Sequence, residues 1–261
     1  MDEQSNPPGS FCWVELGSSN AAAARAFYTD LFGWSVTETP MGEAHPYLRF
    51  GLRSLDVAAL YQVDPGQPNA TPDFWGTYVS VDDVDAAVAR AAELEGTVVV
   101  PPFDVMTSGR MAVLADPQGA RFSLWQAGDH CGVMVRDEPG SLCWNELLTS
   151  DPGKAQEFYC ELFGWEAMTA DMPIGPYTSF FRAGTPVGGM VKLQAGWGDV
   201  PPHWVVYFAV ADCDEAVQRG TELGAELIVP AMDVPEVGRF AWLRDPAGAL
   251  FGIIRLDSQT D

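Results

Sequence analysis

The chain repeats itself, and this limits its possible folds more than any other feature. Residues 11–34 and 142–165 align without a gap at an offset of 131 and agree at 12 of 24 positions. A second stretch, 75–122 against 204–251, aligns at an offset of 129 and agrees at 23 of 48 positions. Two long matches in the same order mean two copies of one domain, and the spacing is far larger than the roughly 20–50 residues of a solenoid repeat. The change of offset falls within 35–74, where loops of unequal length are expected. The expected layout is a tail (1–10), a first domain (11–126), a linker (127–140), a second domain (141–256) and a short tail (257–261).

Periodicity within each copy reads as a strand, a helix and several strands, then the same again. Residues 12–16 alternate as a strand, and Asn20 or Ser19 can cap the helix that follows. Ala23, Phe27 and Leu31 fall at i, i+4 and i+8 as its core stripe, and Gly33 suits a left-handed cap. Ala155, Phe158, Leu162 and Gly164 repeat this in the second copy. Residues 47–50, 57–61, 177–181 and 187–193 read as further strands. A strand at 75–81 and an amphipathic helix at 83–94 open each second half, with counterparts at 204–210 and 212–223. Asp116-Pro117-Gln118-Gly119 and Asp245-Pro246-Ala247-Gly248 suit type I turns into the closing strands. The fold class is therefore α+β: two tandem domains, each a pair of βαβββ units whose mixed sheet curves around a cavity with helices outside.

Charge narrows the partners. There are 36 Asp and Glu against 14 Lys and Arg, a formal net charge of -22, and Lys154 and Lys192 are the only lysines. Such a surface repels polyphosphate and anionic lipid, so nucleic acid and membrane are not expected partners. Acidity also keeps a chain soluble, which needs no ligand to explain it. No apolar run of about 18 residues occurs and residues 1–10 lack the pattern of a signal peptide, so a cytoplasmic location is expected. Cys12, Cys131, Cys143, Cys160 and Cys213 are odd in number and form no CxxC pair, so free thiols are expected.

Three recurring motifs carry a resemblance. They are AFYTDLFGW and EFYCELFGW ending the first helix, VDDVDAAV and ADCDEAV opening the second, and LADPQGARFSLWQ and LRDPAGALFGIIR closing each copy. Together they resemble the glyoxalase, bleomycin-resistance and extradiol-dioxygenase superfamily, also called vicinal oxygen chelate. In particular the chain is similar to tandem members described as glyoxalase-like or hydroxylase-like. The superfamily includes isomerases, lyases, oxygenases and proteins that only sequester a drug, so the resemblance leaves enzyme and binding protein both open.

Enzymes of that superfamily typically hold one divalent metal with inward-facing His and Glu side chains. The landmarks place those positions at Trp13, Leu60, Gly76 and Ser123 in the first copy, and at Trp144, Met190, Val205 and Gly252 in the second. Indole, alkyl, thioether and hydrogen are not competent ligands, and Ser123 offers one weak hydroxyl. A divalent metal remains a conceivable cofactor only with a rebuilt site, for which Glu146 and His203 are the candidates.

Strand parity supplies other candidates. Glu15 shares the face of Trp13, Glu146 that of Trp144, and His203 and Tyr207 that of Val205. Glu146, His203 and Tyr207 are thus the expected catalytic group, with Glu146 as base or ligand and His203 as acid or ligand. Trp144, Val205, Met190, Arg239, Glu15, Trp13 and Tyr78 are the expected substrate-binding residues. The first copy has Phe74 where His203 stands, so the second is the expected site. A repeated Trp-x-Glu also suits a purely structural pair. Asp104 with Arg110 and Asp233 with Arg239 read more readily as strand ties than as a carboxylate clamp, and His45 and His130 read as surface. The expected protein acts on a small carbonyl or aromatic metabolite in a cavity of the second domain, or binds a small molecule there without metal or turnover. It is expected as a monomer or homodimer.

Overall fold

The computed structural model describes residues 6–40, 45–64, 66, 72–172 and 175–257. Residues 1–5 and 258–261 of the expected tails lie outside it. The first repeat runs β1 (Phe11–Ser18), α1 (Ala21–Phe32), β2 (Ser35–Thr39), β3 (Tyr47–Leu52), β4 (Leu55–Gln62), β5 (Phe74–Ser80), α2 (Val84–Glu93), β6 (Thr97–Val105), β7 (Gly109–Ala115) and β8 (Arg121–Ala127). The second runs β9 (Leu142–Thr149), α3 (Pro152–Phe163), β10 (Glu166–Met172), β11 (Gly175–Arg182), β12 (Thr185–Lys192), β13 (His203–Ala209), α4 (Cys213–Glu222), β14 (Glu226–Val234), β15 (Gly238–Arg244) and β16 (Leu250–Leu256). Each repeat builds one eight-stranded mixed sheet, in the orders β2-β3-β4-β1-β5-β8-β7-β6 and β10-β11-β12-β9-β13-β16-β15-β14. This is the α+β fold expected of two tandem domains of paired βαβββ units.

Local signals act as the sequence requires. Asn20, Asp83, Asp151 and Asp212 each accept a backbone N–H from the first turn of their helix. Gly33 and Gly164 end α1 and α3 in the left-handed conformation, at φ 69° and 67°. In α1 the buried face is Ala24, Phe27 and Tyr28; Ala23 points to solvent, one residue from the expected stripe. Both Asp-Pro turns close, with Gly119 N–H on the Asp116 carbonyl at 2.9 Å and Gly248 N–H on the Asp245 carbonyl at 3.0 Å.

Packing divides the chain into two compact cores that draw on both repeats. Among the described residues, core A draws on 6–13, 76–132 and 144–205, and core B on 14–75, 133–143 and 206–257. In core A, Tyr159 of α3 stacks with Phe163 and Trp165 and meets Phe122 and Trp204 edge-on. In core B, Tyr28 of α1 does the same with Phe32, Trp34, Trp75 and Phe251. Each buried ring stabilises the fold by about 1.5–3 kcal/mol through loss of apolar contact with water.

One polar chain crosses each core. Trp204 Nε1 donates to Tyr159 Oη at 2.9 Å, and Tyr159 donates to Asp116 at 3.2 Å. Trp75 Nε1 donates to Tyr28 Oη at 2.9 Å, and Tyr28 donates to Asp245 at 3.0 Å. Core A holds a further buried pair, Thr77 Oγ1 on Asn145 Oδ1 at 2.7 Å. The repeat-equivalent residues, Val206 and Val14, are apolar and fully buried in core B.

Candidate functional site

The Glu146 site is built on three strands of core A, β9, β11 and β12. Trp144 and Glu146 stand two residues apart on β9 and so share a face. Tyr177 on β11 joins them: Trp144 Nε1 donates to its hydroxyl at 2.9 Å, and the hydroxyl donates to the Glu146 carboxylate. To reach Glu146 the phenol crosses β12, which lies between β11 and β9, at Gly189, the register partner of Glu146. Glu146 is only 8% exposed, and a carboxylate so far from water depends on hydrogen bonds such as this one. Burial first, and the charge of Glu146 second, push the Tyr177 phenol well above its usual range, so it remains a neutral donor.

The first repeat keeps half of this arrangement. Tyr47 donates to Glu15 at 2.9 Å, with Ala59 as the register partner of Glu15. Trp13 instead meets the His130 ring edge-on at 4.5 Å between centroids. His130 is half-buried rather than on the surface, its carbonyl accepting from Trp125 Nε1 at 2.9 Å. Tyr78 packs against that same Trp125, and Ser123 and Trp13 are buried as well. Trp13 is thus 3% exposed, while Trp144 keeps part of its indole open.

The other expected residues take varied places. His203 opens β13, half-buried, and burial pushes its imidazole below the usual value. Its Nδ1 lies 2.8 Å from the Pro201 carbonyl, which can only accept, so Nδ1 carries the proton and Nε2 the lone pair. The geometry therefore leaves His203 an acceptor at Nε2, which, of the two expected roles of acid or ligand, suits a ligand or proton acceptor. Val205 is buried in core A. Met190 pairs in register with Leu147 and packs with it among Phe158, Tyr159, Trp165 and Phe180, on the side of β12 opposite Gly189. Leu60 likewise pairs with Leu16. The residues that face the glutamates from these strands are Gly189 and Ala59.

Tyr207 belongs to core B, where Trp242 Nε1 donates to its hydroxyl. Its ring lies over Gly252, where an added Cβ would stand 2.3 Å from Tyr207 Cδ1. Arg239 is spent on two carboxylates, forking to Asp214 at 2.9 Å through both Nε and Nη2 and reaching Asp233 at 3.2 Å. Arg110 repeats this with Asp85 and Asp104. The tie between strands is real, and a helix N-terminus is bound into it.

A model of the Glyoxalase/Bleomycin resistance protein/Dioxygenase superfamily matches residues 11–124 and again 129–253. The chain belongs to this superfamily. Among curated members it is 40% identical over 245 residues to the "Putative glyoxylase CFP32" of Mycobacterium tuberculosis, covering 93% of each chain. It is 39% identical over 262 residues to the anthracycline biosynthesis protein DnrV of Streptomyces peucetius, covering 95% of this chain and 94% of that one. The fold is similar to that of the Mn(II)-bound glyoxalase from Novosphingobium aromaticivorans, with a TM-score of 0.66 at 15% identity over 96% of this chain and 83% of that one.

The superfamily's metal does not fit these residues. The aligned positions offer no competent donor, and among the described residues no three or more His, Cys, Asp and Glu side chains gather to hold an ion. No helix among the described residues is long and apolar enough to cross a membrane.

Tyr177 and Gly189 escaped the sequence reading. Both lie where the offset between repeats slides from 131 to 129, and Tyr177 pairs with Tyr47 at neither of those offsets but at 130 between them. The signal that could have found them is a Tyr in the third strand and a small residue in the fourth strand of each repeat.

Proposed function

We propose that the chain binds and turns over a small carbonyl or aromatic metabolite at the second repeat, with Glu146 as the group that takes a proton from it. One observation carries this reading: a buried carboxylate fixed by a neutral phenol, beside an indole that is part open. Trp144 supplies a flat apolar surface, and its N–H is already spent on Tyr177, so it offers a ligand its ring face. His203, neutral with its lone pair at Nε2, is a second acceptor in core A. The reading agrees with the names of the two relatives, a "Putative glyoxylase" and an anthracycline biosynthesis protein. It places the protein in the cytoplasm as a monomer or homodimer.

A second reading, a binding protein without catalysis, is favoured by the lack of metal donors at all eight aligned positions. The two are separated by a thermal-shift screen of small carbonyl and aromatic compounds, followed by mass analysis of each stabilising compound after incubation. Turnover that is lost in Glu146→Gln and weakened in His203→Ala, with binding retained, supports the enzyme. Stabilisation with no product from the wild-type protein supports the binder.

A further inference from the structure

At two positions of the second repeat, one in each core, the space a metal-ligating side chain would need is already occupied. A Cβ added to Gly189 would stand 1.9 Å from Tyr177 Oη and 2.4 Å from its Cζ. A Cβ added to Gly252 would meet the Tyr207 ring at 2.3–2.6 Å. Gly189 faces Glu146 across the parallel β9–β12 pair, and Gly252 stands at an aligned ligand position. Neither position can bear a ligating side chain while its tyrosine stays in place. Both tyrosines are held by a tryptophan N–H, Trp144 on Tyr177 and Trp242 on Tyr207.

We propose that Tyr177 is the positioning residue by which the second repeat dispenses with a divalent metal, and that Gly189 exists to let it lie there. The proposal rests on Glu146 as the proton acceptor. Here the Trp144–Tyr177 pair fixes one carboxylate oxygen through a hydrogen bond from a neutral donor. The step is a proton transfer alone. The C–H bond next to a substrate carbonyl breaks, its electron pair stays on the substrate as an enolate, and the proton goes to Glu146. Glu146 then returns that proton to the same carbon, so no oxidant, reductant or co-reactant is consumed. A buried carboxylate in an acidic protein disfavours anionic substrates, so the fitting class is a neutral carbonyl compound with an acidic α-proton.

The test uses the full chain with hydroxyacetone as probe, following α-proton exchange in D2O by NMR, with and without EDTA. Metal content is measured in parallel after exposure to Mn2+, Co2+, Ni2+ and Zn2+. The expected result is exchange unaffected by EDTA and metal well below one equivalent. Tyr177→Phe, which keeps the ring, should slow exchange about 10-fold and move the acid limb of the pH profile upward, because a carboxylate that loses a donor binds its proton more tightly. A carboxylate-selective 13C titration of Glu146 should show the same upward shift without any substrate. Gly189→Ala should give the same two effects by displacing the phenol. If Glu146→Gln exchanges as fast as wild type, the proposed role of Glu146 fails. If Glu146→Gln is slow but Tyr177→Phe leaves rate, profile and titration unchanged, the inference about Tyr177 fails alone. One equivalent of metal that disappears in Glu146→Gln would overturn metal independence.

Discussion

Tyr159 Oη lies 3.2 Å from the Asp116 carboxylate, a bond from the first helix of one repeat to the Asp-Pro turn of the other. Tyr28 and Asp245 form the reciprocal bond at 3.0 Å. Two of the most legible motifs in the chain, Phe-Tyr and Asp-Pro, thus meet each other crosswise. They build the cores; the chemistry is assigned elsewhere.

Replacing Tyr159 by Phe should therefore destabilise the protein without touching the Glu146 site. It leaves the Trp204 N–H and a buried Asp116 oxygen short of a partner, which costs about 1–3 kcal/mol. Urea denaturation should show the loss. Tyr28→Phe should lose a similar amount through Trp75 and Asp245. An unchanged midpoint in both would mean that the chains of hydrogen bonds add nothing net.

Thr77 and Asn145 offer a cycle with a built-in answer. Either change to Val alone strands the other residue's buried polar group, at a cost of about 1–3 kcal/mol, whereas the double change to Val reproduces the residue pair already present in core B and should be close to neutral. Additive losses would show that the two residues act separately.

Gly252→Ala forces a methyl into the Tyr207 ring, which cannot swing away without losing its Trp242 bond. Overpacking of this kind costs about 1–3 kcal/mol. Gly196→Ala meets nothing within 4 Å and should stay within about 0.5 kcal/mol of wild type in the same denaturation series.

Burial holds the His203 imidazole below its usual value, so the unfolded chain takes up that proton before the folded one does. The contribution to stability is whole above the ordinary histidine value of about 6.5 and shrinks as pH falls through it toward the folded value. Wild type and His203→Gln, unfolded in urea from pH 8 to 5, should therefore show a gap that moves against wild type below about pH 6.5. A gap independent of pH would place His203 in contact with solvent.

Fold and family were legible because the repeat doubles every signal: caps, helix stripes and turns appear twice and check each other. Strands β2 and β10 gave less, since both are mostly exposed edge strands with polar sequences and no alternating apolar face. At the site, the Trp-x-Glu pairs followed from strand parity alone. Met190 and Leu60 did not, because a one-residue shift in the register of β12 and β4 moves a side chain to the other face. His130 was hidden for a different reason: it lies in the stretch between repeats, and only the fold brings it onto Trp13.

The crosswise sharing of cores has a consequence for synthesis. Among the described residues core A draws on nothing beyond residue 205, whereas core B joins 14–75 to 206–257. As the chain leaves the ribosome, core A has all its parts while the faces of α1 that carry Phe27 and Tyr28 still lack Phe251 and Asp245. Helix α1 is thus made well before its partners in core B, and a nascent chain that stalls before residue 245 presents its aromatic side to whatever holds it in the cell.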